Sequence, residues 1–123
     1  MTNKEVVEKL YEVVFNGRNL DAAGEFIHEN YIQHNPRAQT GLEGFKNFVR
    51  DALFANFPEF RINIKRIIAE GDYVAVHTHA IPEAGSRGNA VVDIYRFENG
   101  KIAEHWDVIQ PVPESTVSGN GMF

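Results

Sequence analysis

The residues with chemistry to offer gather in the second half of the chain. His77 and His79 stand two apart in the run VAVHTHA, and in a strand that spacing aims both imidazoles at one face. Such a pair has three readings: a catalytic pocket, a metal site, or a wet or subunit-facing surface. Asp93 interrupts an apolar run, with AVV before it and IYRF after it. A buried carboxylate without partners is costly, so Asp93 calls for donors. A histidine from the adjacent strand and the Trp106 indole N–H would serve. A carboxyl group so placed is a candidate acid or base, or equally a structural ion pair, since both environments perturb its titration. His105 and Asp107 flank Trp106, and His34 sits in the turn-prone stretch HNP, where a solvated ring is ordinary. Trp106 serves as readily in packing as in ligand binding. His28, near a helix end, reads as a partner of the helix dipole.

These side chains need a scaffold. Thr2 and Glu5 have capping-box spacing, and Val6, Val7, Leu10, Val13 and Val14 follow with helical periodicity as far as Gly17. Asp21 heads a short second helix to about Ile27. The stretch ENYIQHNPRAQTG reads as extended or looped, broken at Asn35-Pro36. Thr40 and Glu43 repeat the capping-box spacing, and a third helix carries Phe45, Phe48, Val49, Ala52 and Leu53 on one face until Pro58. The period then changes to two. Four mostly antiparallel strands follow, the last two joined by Asn99-Gly100, a type I′ hairpin signal. Helices on one face of an antiparallel sheet make an α+β domain, here a single one over 1–123 with a tail from 115 to 123.

Setting Asn99 and Gly100 as the two loop residues fixes a register. Tyr95 then faces Glu104, Asp93 faces Trp106, and Ile94 faces His105. Opposed residues share a face, so Asp93, Tyr95 and Trp106 lie together while His105 and Asp107 lie on the other side. A single bulge would swap part of this pattern.

Composition narrows the partners. The chain has 123 residues, 43% hydrophobic and 24% charged, with a formal net charge of −5 and no basic block. Nucleic-acid and anionic membrane surfaces are therefore disfavoured as partners. There is no cysteine, which removes disulfides and thiolate metal sites. No secretory segment or membrane-length apolar run is visible, and the expectation is a soluble cytoplasmic protein.

Together, YIQHNP (31–36), GLEGFKNF, EGDYVAVHTH and VVDIYRFENGKIAEHWDVIQPVPE resemble the SnoaL-like polyketide cyclases of the nuclear-transport-factor-2-like superfamily. The resemblance spans nearly the whole chain, to about Glu114. It implies a cone-shaped α+β barrel, three N-terminal helices on a strongly curved, mostly antiparallel sheet, and a homodimer through that sheet. It also implies ring closure by aldol condensation or a related enolisation, with no cofactor and no metal. Such chemistry needs a base to take a proton α to a carbonyl and donors for the enolate oxygen. Asp93 or Asp107 is the candidate base, with His79 or His34 as partner or oxyanion donor. Tyr31, Tyr95, His77, His105 and Trp106 are the candidate substrate-binding residues, around a small carbonyl or aromatic ligand in an apolar pocket. The short loop PEAGSRG offers no long lid, which favours a small substrate.

Two rival readings stand beside this one. The fold also serves as a non-catalytic ligand-binding or assembly domain. Alternatively, His77 and His79 with His105, Asp107 or His34 would supply metal ligands. The tail ends in Met122-Phe123, and docking of that end is weighed against a mobile terminus.

Overall fold

The computed structural model describes residues 1–123. Helix α1 (Asn3–Lys9) begins at the Thr2–Glu5 capping box, both halves of which are formed. It continues without a break as a π-helical stretch, Leu10–Asn16, which carries Tyr11. The second predicted helix is a 3-10 helix, Leu20–Glu25, with Asn19 and not Asp21 at its cap position. Helix α2 (Gly41–Phe48) runs on as a π-helical stretch, Val49–Phe54. At its start Thr40 makes no side-chain cap. The Thr40 hydroxyl instead donates to the Tyr31 carbonyl (2.8 Å) and accepts from the Gln33 N–H (3.1 Å). It thus ties the helix entry to the strand before it.

That strand is the first correction. Ile27–Gln33 forms β1: of the extended and looped alternatives for residues 29–41 the extended one holds at the start, and the second helix, expected to reach about Ile27, ends at Glu25. Four further strands follow: β2 (Arg61–Glu70), β3 (Tyr73–Ile81), β4 (Asn89–Glu98) and β5 (Lys101–Pro111). The sheet order is β1-β5-β4-β3-β2. β1 pairs with β5 in parallel and all other pairs are antiparallel. The result is the expected α+β architecture, three helical segments on a curved sheet of five strands. Its core lies between helices and sheet: Val7, Leu10, Tyr11 and Val14 from the first helix meet Tyr31, Val74, Val76, Tyr95 and Ile102 from the strands.

The second correction concerns register. The β4–β5 hairpin turns at Asn99 (φ 50°) and Gly100 (φ 82°), the left-handed pair that a type I′ turn requires. Glu98 faces Lys101 and Phe97 faces Ile102, as expected. A bulge then intervenes at Ala103, and Arg96 faces Glu104. From there every pair is displaced by one: Tyr95 meets His105, Ile94 meets Trp106, and Asp93 meets Asp107. A one-residue shift moves each side chain to the other face.

Candidate functional site

The bulge gathers one constellation on the inner face. Asp93 and His105, 8% and 9% exposed, are buried beneath the helices, and Asp107 stands partly buried beside them. One ligand atom from each lies within 4.8 Å of the others. His105 Nε2 is 2.8 Å from Asp93 Oδ1. The Tyr11 hydroxyl donates to Asp93 Oδ2 at 2.6 Å and is also 2.6 Å from the Tyr95 hydroxyl. Because the Tyr11 proton is committed to the carboxylate, the Tyr95 O–H must donate to Tyr11 Oη. The Tyr95 ring stacks on His105 with centroids 4.9 Å apart.

β1 closes the other side. Gln33 Oε1 is 2.7 Å from His105 Nδ1, and Gln33 Nε2 donates to the Tyr31 hydroxyl at 2.7 Å. Asn35 Nδ2 donates to both oxygens of Asp107, at 3.0 and 2.8 Å. The Asn35 side-chain oxygen accepts from the Arg37 N–H at 2.8 Å, which fixes the amide's orientation. No buried side-chain nitrogen or oxygen lacks a partner.

Burial dominates the electrostatics of the tyrosines. It pushes the Tyr11 and Tyr95 hydroxyls well above the ordinary tyrosine range, and the charge of Asp93 adds to the shift in both. Tyr31 is also raised, by burial first and with a contribution from Asp107, while its bond from Gln33 works the other way. All three phenols therefore keep their protons through neutral pH and can act as donors.

Several expected site residues lie elsewhere. His77 pairs with Val92 and His79 with Ala90, so both histidines occupy the outer face, not the face of Asp93. His77 contacts Arg66, His79 Nε2 is 2.6 Å from the Arg87 carbonyl oxygen, and the Phe123 ring of the tail covers both imidazoles at 5.5 and 4.4 Å. Burial, then the positive charges of Arg66 and Lys65, lowers the His77 pKa. Trp106 also faces outward, stacked on His34 at 5.0 Å. His34 Nε2 is 2.7 Å from Glu104, which Arg96 also holds at 2.9 Å. Asp93 is thus partnered by Tyr11 and His105, not by His77, His79 or Trp106. His105 and Asp107, expected opposite Asp93, lie beside it. In the metal set built on His77 and His79, the sheet separates His105 and Asp107 from the pair, and only His34 shares its outer face.

Asp93, His105 and Asp107 are the residues able to hold a cation, one donor atom each. A cation there would have to displace the His105–Asp93 hydrogen bond. Tyr11, Gln33 and Asn35 complete the site beyond the residues that the sequence marks. Tyr11 had a signal: it falls in the buried stripe of Val7, Leu10 and Val14, where a phenol needs a partner. A cleft of about 540 Å³ opens among Asn16, Arg18, Phe60, Arg61 and Ser86, and another of about 440 Å³ lies within the tail from Val112 to Phe123. Neither is lined by the inner-face constellation.

The SnoaL-like polyketide cyclase family model matches residues 5–114, and the chain belongs to that family. Solved structures share the fold. TsrD from Streptomyces laurentii is 23% identical with a TM-score of 0.70, covering 87% of this chain and 90% of that one. A SnoaL-like polyketide cyclase from Agrobacterium tumefaciens is 20% identical with a TM-score of 0.72, covering 89% and 92%. An NTF2-like protein of unknown function from Cytophaga hutchinsonii is 20% identical with a TM-score of 0.74, covering 90% and 92%. At these identities the likeness establishes the fold alone. No curated protein matches the chain.

Proposed function

We propose that this protein is a cofactor-independent acid/base enzyme that enolises a small carbonyl compound, either for aldol ring closure or for isomerisation. The observation that carries the reading is the unequal engagement of the two carboxylates. Each oxygen of Asp93 already accepts a hydrogen bond, from His105 and from Tyr11. Asp107 also accepts at both oxygens, but from the single Asn35 amide, and it is the less buried of the two. Asp107 is therefore the base in this reading, and Asp93 is the hydrogen-bond partner of His105.

In the reaction, Asp107 takes the proton α to the carbonyl and the C–H electron pair becomes the enolate. The Tyr31 hydroxyl accepts the Gln33 N–H, so its own proton is available to the developing oxyanion. His105, oriented by its hydrogen bond to Asp93, lies beside Asp107. In the aldol variant the enolate carbon attacks a second carbonyl, and the new alkoxide takes the proton back from Asp107. A base in this role contributes about 10²–10⁴-fold.

The test is α-proton exchange in D₂O, followed by NMR on a panel of β-dicarbonyl and aryl-ketone compounds. Enzyme-dependent exchange that Asp107→Asn abolishes is the expected result. Exchange that survives Asp107→Asn but not Asp93→Asn would transfer the role to Asp93.

A second reading, a non-catalytic ligand-binding domain, draws on one observation: every buried polar side-chain atom is already partnered within the chain, as in a structural network. No exchange on any compound, with ligand retained by the purified protein, would favour it. The homodimer belongs to the same proposal. Ile68 (65% exposed), Tyr73, Val92, Ile94 and Val108 (69% exposed) lie in strands β2 to β5 and leave an uncovered apolar surface on the sheet. Patches of this kind mark association sites.

A further inference from the structure

We infer that Gln33 is a positioning residue that fixes the tautomer of His105, so that a single proton is held between His105 Nε2 and Asp93. The inference rests on the reading of the inner-face site given above, but its geometry stands without any substrate.

One donor beside Gln33 cannot change its role. The backbone N–H of Asn35 points at Gln33 Oε1 from 2.9 Å. A flipped amide would set an NH₂ group against that N–H, so the oxygen must occupy this position. His105 Nδ1, 2.7 Å from the same oxygen, therefore carries its hydrogen and donates it. The Nδ1 hydrogen is thereby committed, and only Nε2 is left to exchange a proton. Nε2 faces Asp93 Oδ1 at 2.8 Å. An imidazole lone pair facing a carboxylate oxygen would be repulsive, so one proton is held between them.

The other neighbours leave that arrangement intact. From β4, Tyr95 stacks on the ring and hydrogen-bonds to Tyr11. From α1's π-helical extension, Tyr11 donates to the far oxygen of Asp93. From β1, Tyr31 is held by the Gln33 amide. On β5 itself, Asp107 is held by Asn35. None of these bonds offers His105 Nδ1 a second acceptor. A Gln33 side chain with the opposite amide orientation, or one without an acceptor, would release Nδ1.

The experiment is ¹⁵N NMR of the His105 ring in the whole protein, across neutral to mildly alkaline pH. The variants are Gln33→Glu, which keeps an acceptor at this position, and Gln33→Met, which removes it. Wild type and Gln33→Glu are expected to show Nδ1 bearing hydrogen throughout. Gln33→Met is expected to gain the form with hydrogen on Nε2 alone. A wild-type ring with an unprotonated Nδ1 would overturn the inference without reference to any variant. So would a folded Gln33→Met protein in which Nδ1 keeps its hydrogen. With a compound that undergoes exchange, Gln33→Met should lower kcat on the order of tenfold with KM little changed, less than loss of the base itself. Absence of turnover on every compound would count against the enzyme reading while leaving the NMR result to decide this one.

Discussion

Replacing Tyr11 with Phe removes one oxygen atom and disconnects three side chains. The Tyr11 hydroxyl donates to Asp93 and accepts from Tyr95, each at 2.6 Å, in a residue only 1% exposed. Loss of a hydrogen bond to a charged acceptor costs about 1.5–3 kcal/mol, and stranding the buried Tyr95 hydroxyl costs about 1–3 kcal/mol more. The ring and its edge contact with Phe15 are retained, so no cavity is added, and the expected total is about 3 kcal/mol, near the lower end of the combined range because the freed groups relax. Unfolding entropy near 2.1 cal/mol/K per residue then gives a fall in Tm of roughly 10 °C for this chain. Tyr95→Phe is a milder change, about 1 kcal/mol, because Tyr11 still serves Asp93. The double variant should cost no more than Tyr11→Phe alone, since no hydroxyl is left stranded. Thermal and urea melts of the four proteins, treated as two-state, measure this cycle. A Tm within about 4 °C of wild type for Tyr11→Phe, or strictly additive effects, would refute the hydrogen-bond chain described here.

Further expectations follow from the same structure. Tyr11 and Tyr95 titrate well above their ordinary range because burial opposes the phenolate. Above about pH 10 the unfolded tyrosines lose protons that the folded ones keep, so stability should be intact below that pH and fall above it. Urea midpoints measured with rising pH should show this decline, and it should be shallower in Tyr95→Phe. At the acid end, hydrogen bonds from His34 and Arg96 hold the Glu104 carboxyl below its usual range. Its contribution is therefore present above the ordinary carboxylate pKa and lost as pH falls, and Glu104→Gln should flatten that limb of the profile. Gly88 has a φ of 63°, and a Cβ there would run into the Ala80 carbonyl oxygen. Gly88→Ala should cost about 2 kcal/mol or more, through backbone strain and the clash, read as a lower urea midpoint. Finally, Val108→Glu should lower the mass found by light scattering if the outer sheet face joins two copies, and leave it unchanged if that face is free.

Local rules made much of this architecture legible. The capping box at Thr2 and Glu5, the apolar stripe that follows and the Asn99-Gly100 turn each depend on residues close in sequence, and each formed as read. The failures depend on distant partners. Ile27–Gln33 is a strand because β5 supplies parallel hydrogen bonds from some seventy residues away, and its own polar pattern offers little local evidence of that. Thr40 stands at a helix cap by position, yet its hydroxyl is taken by β1. The site was half legible. Asp93 needed a histidine partner, and it has one. The partner is His105 and not His77 or His79, because the bulge lies between Ile102 and Glu104. The trace of that bulge is that Ile102 and Ala103 are both buried, where strict alternation would bury only one. Gln33 and Asn35 could not be found without β1.

The bulge makes the location of the candidate site a matter of parity. Ala103 is the odd residue between the turn and the cluster. With it, His105 and Asp107 count inward and Glu104 and Trp106 count outward; without it, the assignments exchange. Deleting Ala103 would therefore turn the candidate site inside out while leaving each of its residues in the chain. Single insertions or deletions in this hairpin should be far more damaging than substitutions at the same positions. A compensating pair, one residue lost and one gained between Gly100 and Glu104, should restore the original count.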